Sequence, residues 1–272
     1  MEYFLWTFIF LFGAALGSFV TVIANRYNTG LPFFRGRSFC FSCGNQLKNK
    51  DLIPIFSFLF LRGKCRVCQS KIPKETIFTE LLAGVLTVLA VLKGGHSLGL
   101  QFDIAAMSLV VLIFLTILLI SVYDLKHFII PDSFLVSFFI LSLFYLLVLN
   151  LSIPQALLSG IVLALPFLLL FLVSKGRWLG FGDVKYIAVL GVFLGLAMGL
   201  SAVILAFWIG AAFSIFFLLL KKIGHHLNLP NFKNNLTMKS EIPFGPFLSI
   251  GIIISFYLNA DLFHLQTLLD IF

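Results

Sequence analysis

Residues 186–220 read YIAVLGVFLGLAMGLSAVILAFWIGAAFSIFFLLL, apolar throughout and bounded by Lys185 and by Lys221-Lys222. As one helix this stretch would be about 50 Å long at 1.5 Å per residue, against a bilayer core of roughly 30 Å. Two shorter spans fit, with a turn near Gly195-Leu196-Ala197-Met198-Gly199. The division sets the number of spans, and therefore which loops share a face of the membrane.

The surrounding sequence has the same character. The 272 residues are 60% hydrophobic and 11% charged, with 34 phenylalanines, whereas a soluble domain carries about 25% charged residues. This excludes an ordinary soluble domain, a disordered chain and a disulfide scaffold, and leaves an integral membrane protein. Outward from 186–220, the other apolar runs are Tyr3–Ala24, Ile77–Leu92, Ile104–Tyr123, Pro131–Leu149, Gln155–Ser174 and Pro243–Leu258. The Lys93–Asp103 loop, with Gly94, Gly95 and Gly99, is expected to end the second span. Asp124-Leu125-Lys126-His127 is expected to break the chain after the third, and Asn150 to Pro154 to turn between the fourth and fifth.

The predicted fold class is an all-α polytopic membrane protein of about eight transmembrane helices, with a small cytoplasmic tetracysteine zinc-binding loop domain. The expected organisation is a first transmembrane helix at 1–24, the tetracysteine domain at 25–75, a seven-helix membrane domain at 76–260 and an interfacial tail at 261–272. The tail carries an apolar stripe of Leu262, Leu265, Leu269 and Phe272.

Charge tests this arrangement. If the loop after span one is cytoplasmic, the loops after spans three, five and seven lie on the same side. Those four segments hold 10, 1, 3 and 4 Lys/Arg, so 18 of 19 fall on one face and only Lys93 falls outside. The net +8 is thus read as a topology signal, with the lipid bilayer as a partner and no nucleic acid. Ala15-Leu16-Gly17 before Ser18 has the small residues of a signal-peptide cleavage site. The Met1-Glu2 start lacks a basic region, so a retained helix with its N-terminus outside is expected.

All four cysteines fall in the first cytoplasmic loop, as Cys40-Phe41-Ser42-Cys43 and Cys65-Arg66-Val67-Cys68, with 21 residues between the pairs. Two such turns complete a tetrahedral four-thiolate shell for structural Zn²⁺. Disulfides or free thiols are the alternatives, and a cytoplasmic loop disfavours stable disulfides. Gly44 follows the first pair, where a positive φ is expected. Arg37, Arg62, Lys64, Arg66 and Lys71 are expected to offset the net charge of the centre.

Three acids stand at the predicted membrane edge: Asp124, Asp132 and Asp183. Each has an ordinary alternative: a helix N-cap for Asp132 and Asp183, and a solvated acid beside Lys126 for Asp124. For Asp132 the N-cap is preferred. By span parity Asp124 and Asp183 lie on one face and can meet. Two close carboxylates share a proton, so one can activate water while the other donates to the attacked carbonyl. Asp183 sits in Gly180-Phe181-Gly182-Asp183, whose glycines admit a neighbouring backbone.

Several ordered blocks now resemble one family. They are Gly17-Ser18-Phe19 with Asn25-Arg26, the CxxC pairs flanking Asp51-Leu52-Ile53-Pro54, and Lys74-Glu75 to Glu80-Leu81-Leu82. Further on come Asp124 with Pro131-Asp132, Gly180 to Lys185, and Ile242-Pro243-Phe244-Gly245-Pro246. Together they resemble the type IV prepilin peptidases, bacterial GxGD-type intramembrane aspartyl proteases. The resemblance implies that Asp124 and Asp183 are the catalytic pair. It implies prepilin or pseudopilin substrates of type IV pili and type II secretion, cut after a short basic leader on the cytoplasmic side of the bacterial inner membrane. It also implies methylation of the new N-terminus from S-adenosylmethionine, whose site no motif assigns. Phe41 stands where the family commonly has proline, and Asn28-Thr29-Gly30 departs from the usual Leu-Pro.

Two rival readings remain. One is a protease only, with the zinc loop as substrate dock. The other is a transporter with a zinc regulatory loop, which would want acids at mid-bilayer and internal repeats. Glu75 and Glu80 are candidate receivers of a basic leader, with a Lys74 pair as the alternative for Glu80. His225-His226 and Asn235-Leu236-Thr237 are read as ordinary loop residues.

Overall fold

The computed structural model describes residues 2–33, 36–96, 104–226 and 243–262. The chain divides into two compact units, Met1–Val122 and Tyr123–Phe272. Among the described residues all regular structure is helical: α1 (Glu2–Arg26), α2 (Phe56–Phe60), α3 (Lys74–His96), α4 (Ile104–His127), α5 (Asp132–Val148), α6 (Ile153–Ser174), α7 (Phe181–His226) and α8 (Gly245–Leu258), with a 3₁₀ turn at Asn49–Asp51. Five of these helices are long and apolar enough to cross a bilayer, and α5 and α8 are shorter apolar helices.

The decisive stretch lies in α7, and it is broken at Gly195. Its φ of 75° and ψ of 179° lie in a region open essentially to glycine alone. The break reverses the chain: a Cβ placed on Gly199 would lie 3.5 Å from the Cα of Gly191. In a straight helix those residues would stand about 12 Å apart along the axis. So α7 is two arms, 181–194 and 196–226, as the length of the apolar run requires. The close approach depends on small residues, as is usual between apolar helices.

In the first unit α1 packs on α3 in the same way. A Cβ on Gly17 would lie 2.6 Å from that of Ala83. In the second unit Tyr186, Phe138, Ile187, Leu190, Leu248 and Ile252 form the buried centre. Aromatic contacts knit it: Phe138 to Tyr186 at 6.0 Å, Phe138 to Phe193 at 5.8 Å and Phe193 to Phe256 at 5.2 Å. Large apolar side chains such as Leu158, Ile161, Leu165 and Trp208 stay exposed, as suits helices facing lipid.

Several boundaries differ from the expectation. Helix α3 continues through Lys93, Gly94 and Gly95 to His96. A mid-helix glycine costs only about 1 kcal/mol and removes no hydrogen bond. Asp124 to His127 do not break the chain; they form the last turn of α4, where Lys126 and His127 suit the negative end of the helix. The reversal falls one residue later, at Phe128 with φ of 55°. Ile153 and Pro154 belong to α6, with the proline in the first turn, where its missing N–H costs nothing. The tail beyond residue 262, Asn235-Leu236-Thr237 and the side chains of His225 and His226 lie outside the described residues.

Candidate active site and metal centre

Asp124 comes from the last turn of α4 and is 4% exposed. It is not a solvated surface acid. Its Oδ2 accepts the backbone N–H of Gly245 at 3.0 Å. Gly245 opens α8, where backbone N–H groups have no partner within the helix and favour negative charge. A Cβ there would lie 2.6 Å from Asp124 Oδ2, so glycine is required for this approach.

Asp183 is the third residue of α7, not its N-cap. Its carboxylate reaches back to the N–H of Gly180, half of a capping box. It also feels the charge of Asp124. The glycines of the Gly180-Phe181-Gly182-Asp183 motif serve local space. A Cβ on Gly180 would lie 3.2 Å from Asp183 Oδ2, and one on Gly182 would lie 3.2 Å from the Cβ of Ile130.

The third acid is elsewhere in role. Pro131 occupies the N-cap of α5, and Asp132 is the first helical residue. Asp132 is 71% exposed and pairs with Lys185 at 2.6 Å. Such a surface pair contributes at most about 1 kcal/mol.

Two residues behind the acids escaped the sequence reading. Tyr186, fully buried, lies 2.8 Å from Ser249 Oγ. Ser249 gives its one proton to the Gly245 carbonyl at 2.8 Å, so Tyr186 is the donor to Ser249. A chain of hydrogen bonds therefore runs from α7 through α8 to the glycine that holds Asp124. The available signal was helical spacing, Tyr186 three residues after Asp183 and Ser249 four after Gly245.

The cysteines form two copies of one turn. Cys40 N–H donates to the Asn45 carbonyl (2.9 Å) and Gly44 N–H to that of Cys40 (2.8 Å). In the second copy Cys65 N–H donates to the Ser70 carbonyl (2.8 Å) and Gln69 N–H to that of Cys65 (3.1 Å). Isolated bridges pair Phe39 with Gln46 and Lys64 with Lys71, at matching positions. Gly44 has φ of 70° as expected, and Gln69 takes its place in the second turn with φ of 58°.

No disulfide joins these cysteines. All four Sγ atoms lie within 4.8 Å of one another, with Cys40 and Cys68 at 3.8 Å. Sulfurs around a tetrahedral zinc at about 2.3 Å stand about 3.8 Å apart, so the donor set fits a metal ion. The Ser70 hydroxyl and the N–H groups of Cys43 and Ser42 bring the Cys40 thiol down to about 6. Of the offsetting cations, Arg66 is committed to Asp51 at 2.5 Å and holds that carboxyl below the usual range. Glu80 does not pair with Lys74. It is buried, accepting the Ile55 N–H at 2.7 Å and a hydrogen bond from Ser18.

Comparison with known proteins divides along similar lines. Residues 11–94 match the bacterial peptidase A24 N-terminal domain, and residues 109–215 match the type IV leader peptidase family. A prepilin leader peptidase/N-methyltransferase of Bacillus subtilis is 29% identical over 253 residues, covering 93% of this chain and 94% of its own. One from Aeromonas salmonicida is 27% identical over 278 residues, covering 89% and 87%. One from Myxococcus xanthus is 30% identical over 217 residues, covering 78% and 63%. No solved structure matches. Both aspartates fall within the peptidase match and all four cysteines within the N-terminal one, and the chain belongs to the type IV leader peptidase family.

Proposed function

We propose that this chain is a membrane endopeptidase that removes the basic leader of type IV prepilins and pseudopilins with Asp124 and Asp183, and then methylates the new N-terminus. The reading is supported by buried Asp124, held by the Gly245 N–H, and by Asp183, held by the Gly180 N–H and feeling the charge of Asp124, both within the peptidase-matching segment. Sharing one proton, the ionised carboxylate takes a proton from water as the oxygen attacks the scissile carbonyl, and the protonated one donates to the carbonyl oxygen. Collapse breaks the C–N bond, and the departing amine takes up a proton. The Gly245 N–H fixes Asp124 and the Gly180 N–H fixes Asp183, so neither has to reorganise during the reaction.

The membrane arrangement follows from counting spans. The helices α1, α3, α4, α5 and α6, the two arms of α7, and α8 make eight spans, with the N-terminus outside. The end of α4 and the starts of α7 and α8 then share the cytoplasmic face of the bacterial inner membrane. The Gly245–Asp124 bond and the Asp132–Lys185 pair support this, since each joins helix ends that parity puts together. The 18 Lys/Arg on that face support it as well. A prepilin helix lying in the bilayer would present its leader junction at the same level.

Structural zinc held by Cys40, Cys43, Cys65 and Cys68 would tie the two turns together. Four protein ligands leave no open position, so the metal does not activate water. S-adenosylmethionine, when bound, would supply its sulfonium methyl to the neutral N-terminal amine, leaving a neutral thioether and a proton released to solvent. The printed name of the relatives, which pairs leader peptidase with N-methyltransferase, supports this second activity. Incubation of a purified prepilin with the full chain and labelled S-adenosylmethionine tests both steps. Cleavage with label on the new N-terminus is expected; cleavage without label favours the protease-only reading, in which the cysteine loop is a dock.

A further inference from the structure

The cysteine loop is polar and basic, yet one short stretch of it is neither. Residues 52–60 read LIPIFSFLF. Leu52, Ile53, Phe56, Leu59 and Phe60 are all exposed, Leu59 by 60% and Phe60 by 84%. Phe56, Leu59 and Phe60 stand at i, i+3 and i+4 of α2, so they share one face. Phe58 points elsewhere: a Cβ on Gly63 would lie 3.0 Å from its ring. On a spanning helix such side chains face lipid. In a loop, a contiguous group of them marks a surface that something covers.

Contacts within the first unit fix the depth of this stretch. The Ile55 N–H donates to Glu80 Oε2 at 2.7 Å. Glu80 lies six residues inside α3, about 9 Å along the axis from Lys74. Helix α1 agrees: a Cβ on Gly17 would lie 3.0 Å from the Cα of Glu80, and Gly17 stands nine residues, about 14 Å, before Arg26. Helical side chains lean toward the start of their helix. Ile55 therefore sits about one turn inside the paired helices, not beyond their ends. Interfacial helices lie at a similar depth, with the apolar face about 5–10 Å into the boundary between headgroups and acyl chains.

The backbone at this point is strained. Ile55 has φ of 65° and ψ of −54°, and Phe56 N–H closes a three-residue turn on the Pro54 carbonyl at 2.6 Å. This is the rare γ-turn with positive φ, and a β-branched residue tolerates it worst. Such strain persists only where the surroundings over-determine it. The bond to Glu80 does so here, and it sets where α2 begins. Charge then selects the occupant of the exposed face. Exposed Lys48, Lys50, Arg62 and Lys64 flank the stretch on both sides. Residues 25–75 hold ten Lys/Arg against two acids, of which Asp51 is taken by Arg66. An apolar face ringed by cations suits an anionic bilayer surface. A substrate with a basic leader, or a second copy of this loop, would meet its own sign of charge.

We infer that residues 52–60 are an interfacial anchor that docks the cysteine loop onto an anionic bilayer surface. Phe56, Leu59 and Phe60 lie among the acyl chains, and Lys48, Lys50, Arg62 and Lys64 meet the phosphate headgroups. The assignment rests on the reading above that α1 and α3 cross the bilayer. It adds a second kind of attachment, from the loop itself. The two cysteine turns on either side, at residues 40–46 and 65–71, are then held at the membrane surface and not free in solution.

The test uses the full chain in nanodiscs holding one copy each, made of phosphatidylcholine and phosphatidylglycerol. A trace phospholipid carries a photoactivatable group on its acyl chain, and the labelled peptides are mapped after irradiation. Label on residues 52–60, together with α1 and α3, is expected. In phosphatidylcholine alone, label on 52–60 relative to α1 should fall at least about threefold; an unchanged ratio overturns the role given to the cations. Label on α1 and α3 but not on 52–60 overturns the proposal. Label on 52–60 that a purified prepilin displaces makes the face a substrate dock, which also overturns it. Label absent from α1 and α3 means that the membrane reading itself fails. The double variant Leu59→Ser, Phe60→Ser is then digested with trypsin in the same discs. Cleavage after Arg62 and Lys64 should quicken by about tenfold, with α1 and α3 labelled as before; an unchanged rate counts against the anchor. If the variant fails to fold, the label map of the unaltered chain decides alone.

Discussion

The aspartate unit and the cysteine unit hold their polar groups in opposite ways. Asp124 and Asp183 are set by packed helices, each receiving one backbone N–H from the start of a helix. The cysteines are set by two short turns with little buried apolar surface; only Cys65 among them is buried. Helix packing can fix a carboxylate without a ligand, because the bilayer-facing core already over-determines the backbone. A loop as polar as residues 25–73 needs a cross-link from its own side chains, and four convergent thiols provide the place for one. One unit is therefore expected to survive metal removal, and the other to depend on it.

Metal removal is the strongest way to break this contrast. Structural zinc in small thiolate sites contributes about 10–16 kcal/mol of apparent binding free energy. Replacing Cys65 and Cys68 by serine is expected to abolish bound zinc, measured by metal analysis. Helical content by circular dichroism should stay within a few per cent of the parent. A large loss of helix would mean that the cysteine turns also support the membrane helices.

Gly245→Ala probes the other unit. Its Cβ would stand 2.6 Å from Asp124 Oδ2, so the carboxylate must move. Displacement of a catalytic group by about 1 Å costs roughly 100-fold. A loss of that order in prepilin cleavage is expected, with zinc content unchanged. Tyr186→Phe removes the first link of the chain to Gly245. One hydrogen bond contributes about 1 kcal/mol, so kcat is expected to fall roughly two- to tenfold with KM unchanged. A change in KM alone would give Tyr186 a role in binding instead. Asp132→Asn has the smallest effect. It removes an exposed pair with Lys185, so cleavage should stay within about twofold.

What the sequence revealed follows the range of the interactions. The two CxxC turns were legible because each is closed by hydrogen bonds spanning five residues or fewer. The break in α7 was legible from length alone, since no single helix could fit the run. Counting spans and charges led to the expectation that Asp124 and Asp183, 59 positions apart, share one face. The partner of Asp124 was not legible, because the Gly245 N–H lies 121 residues away and backbone groups leave no mark in composition. Glu80 was marked as a costly carboxylate needing a polar neighbour, but the strained turn at Ile55 that supplies it has no local sequence signal. Glycine was over-read in one place: Gly94 and Gly95 were expected to end α3 and lie inside it.

The central claim is that Asp124 and Asp183 together perform the cleavage. It is tested most directly by assaying a purified prepilin with Asp124→Asn and with Asp183→Asn, each in detergent and each checked for folding. Asparagine keeps the size and can still accept the Gly245 or Gly180 N–H, but cannot exchange a proton. Each variant is expected to lose at least about 100-fold in cleavage, the contribution of general acid–base catalysis. Cleavage at the parent rate by either variant would contradict the account.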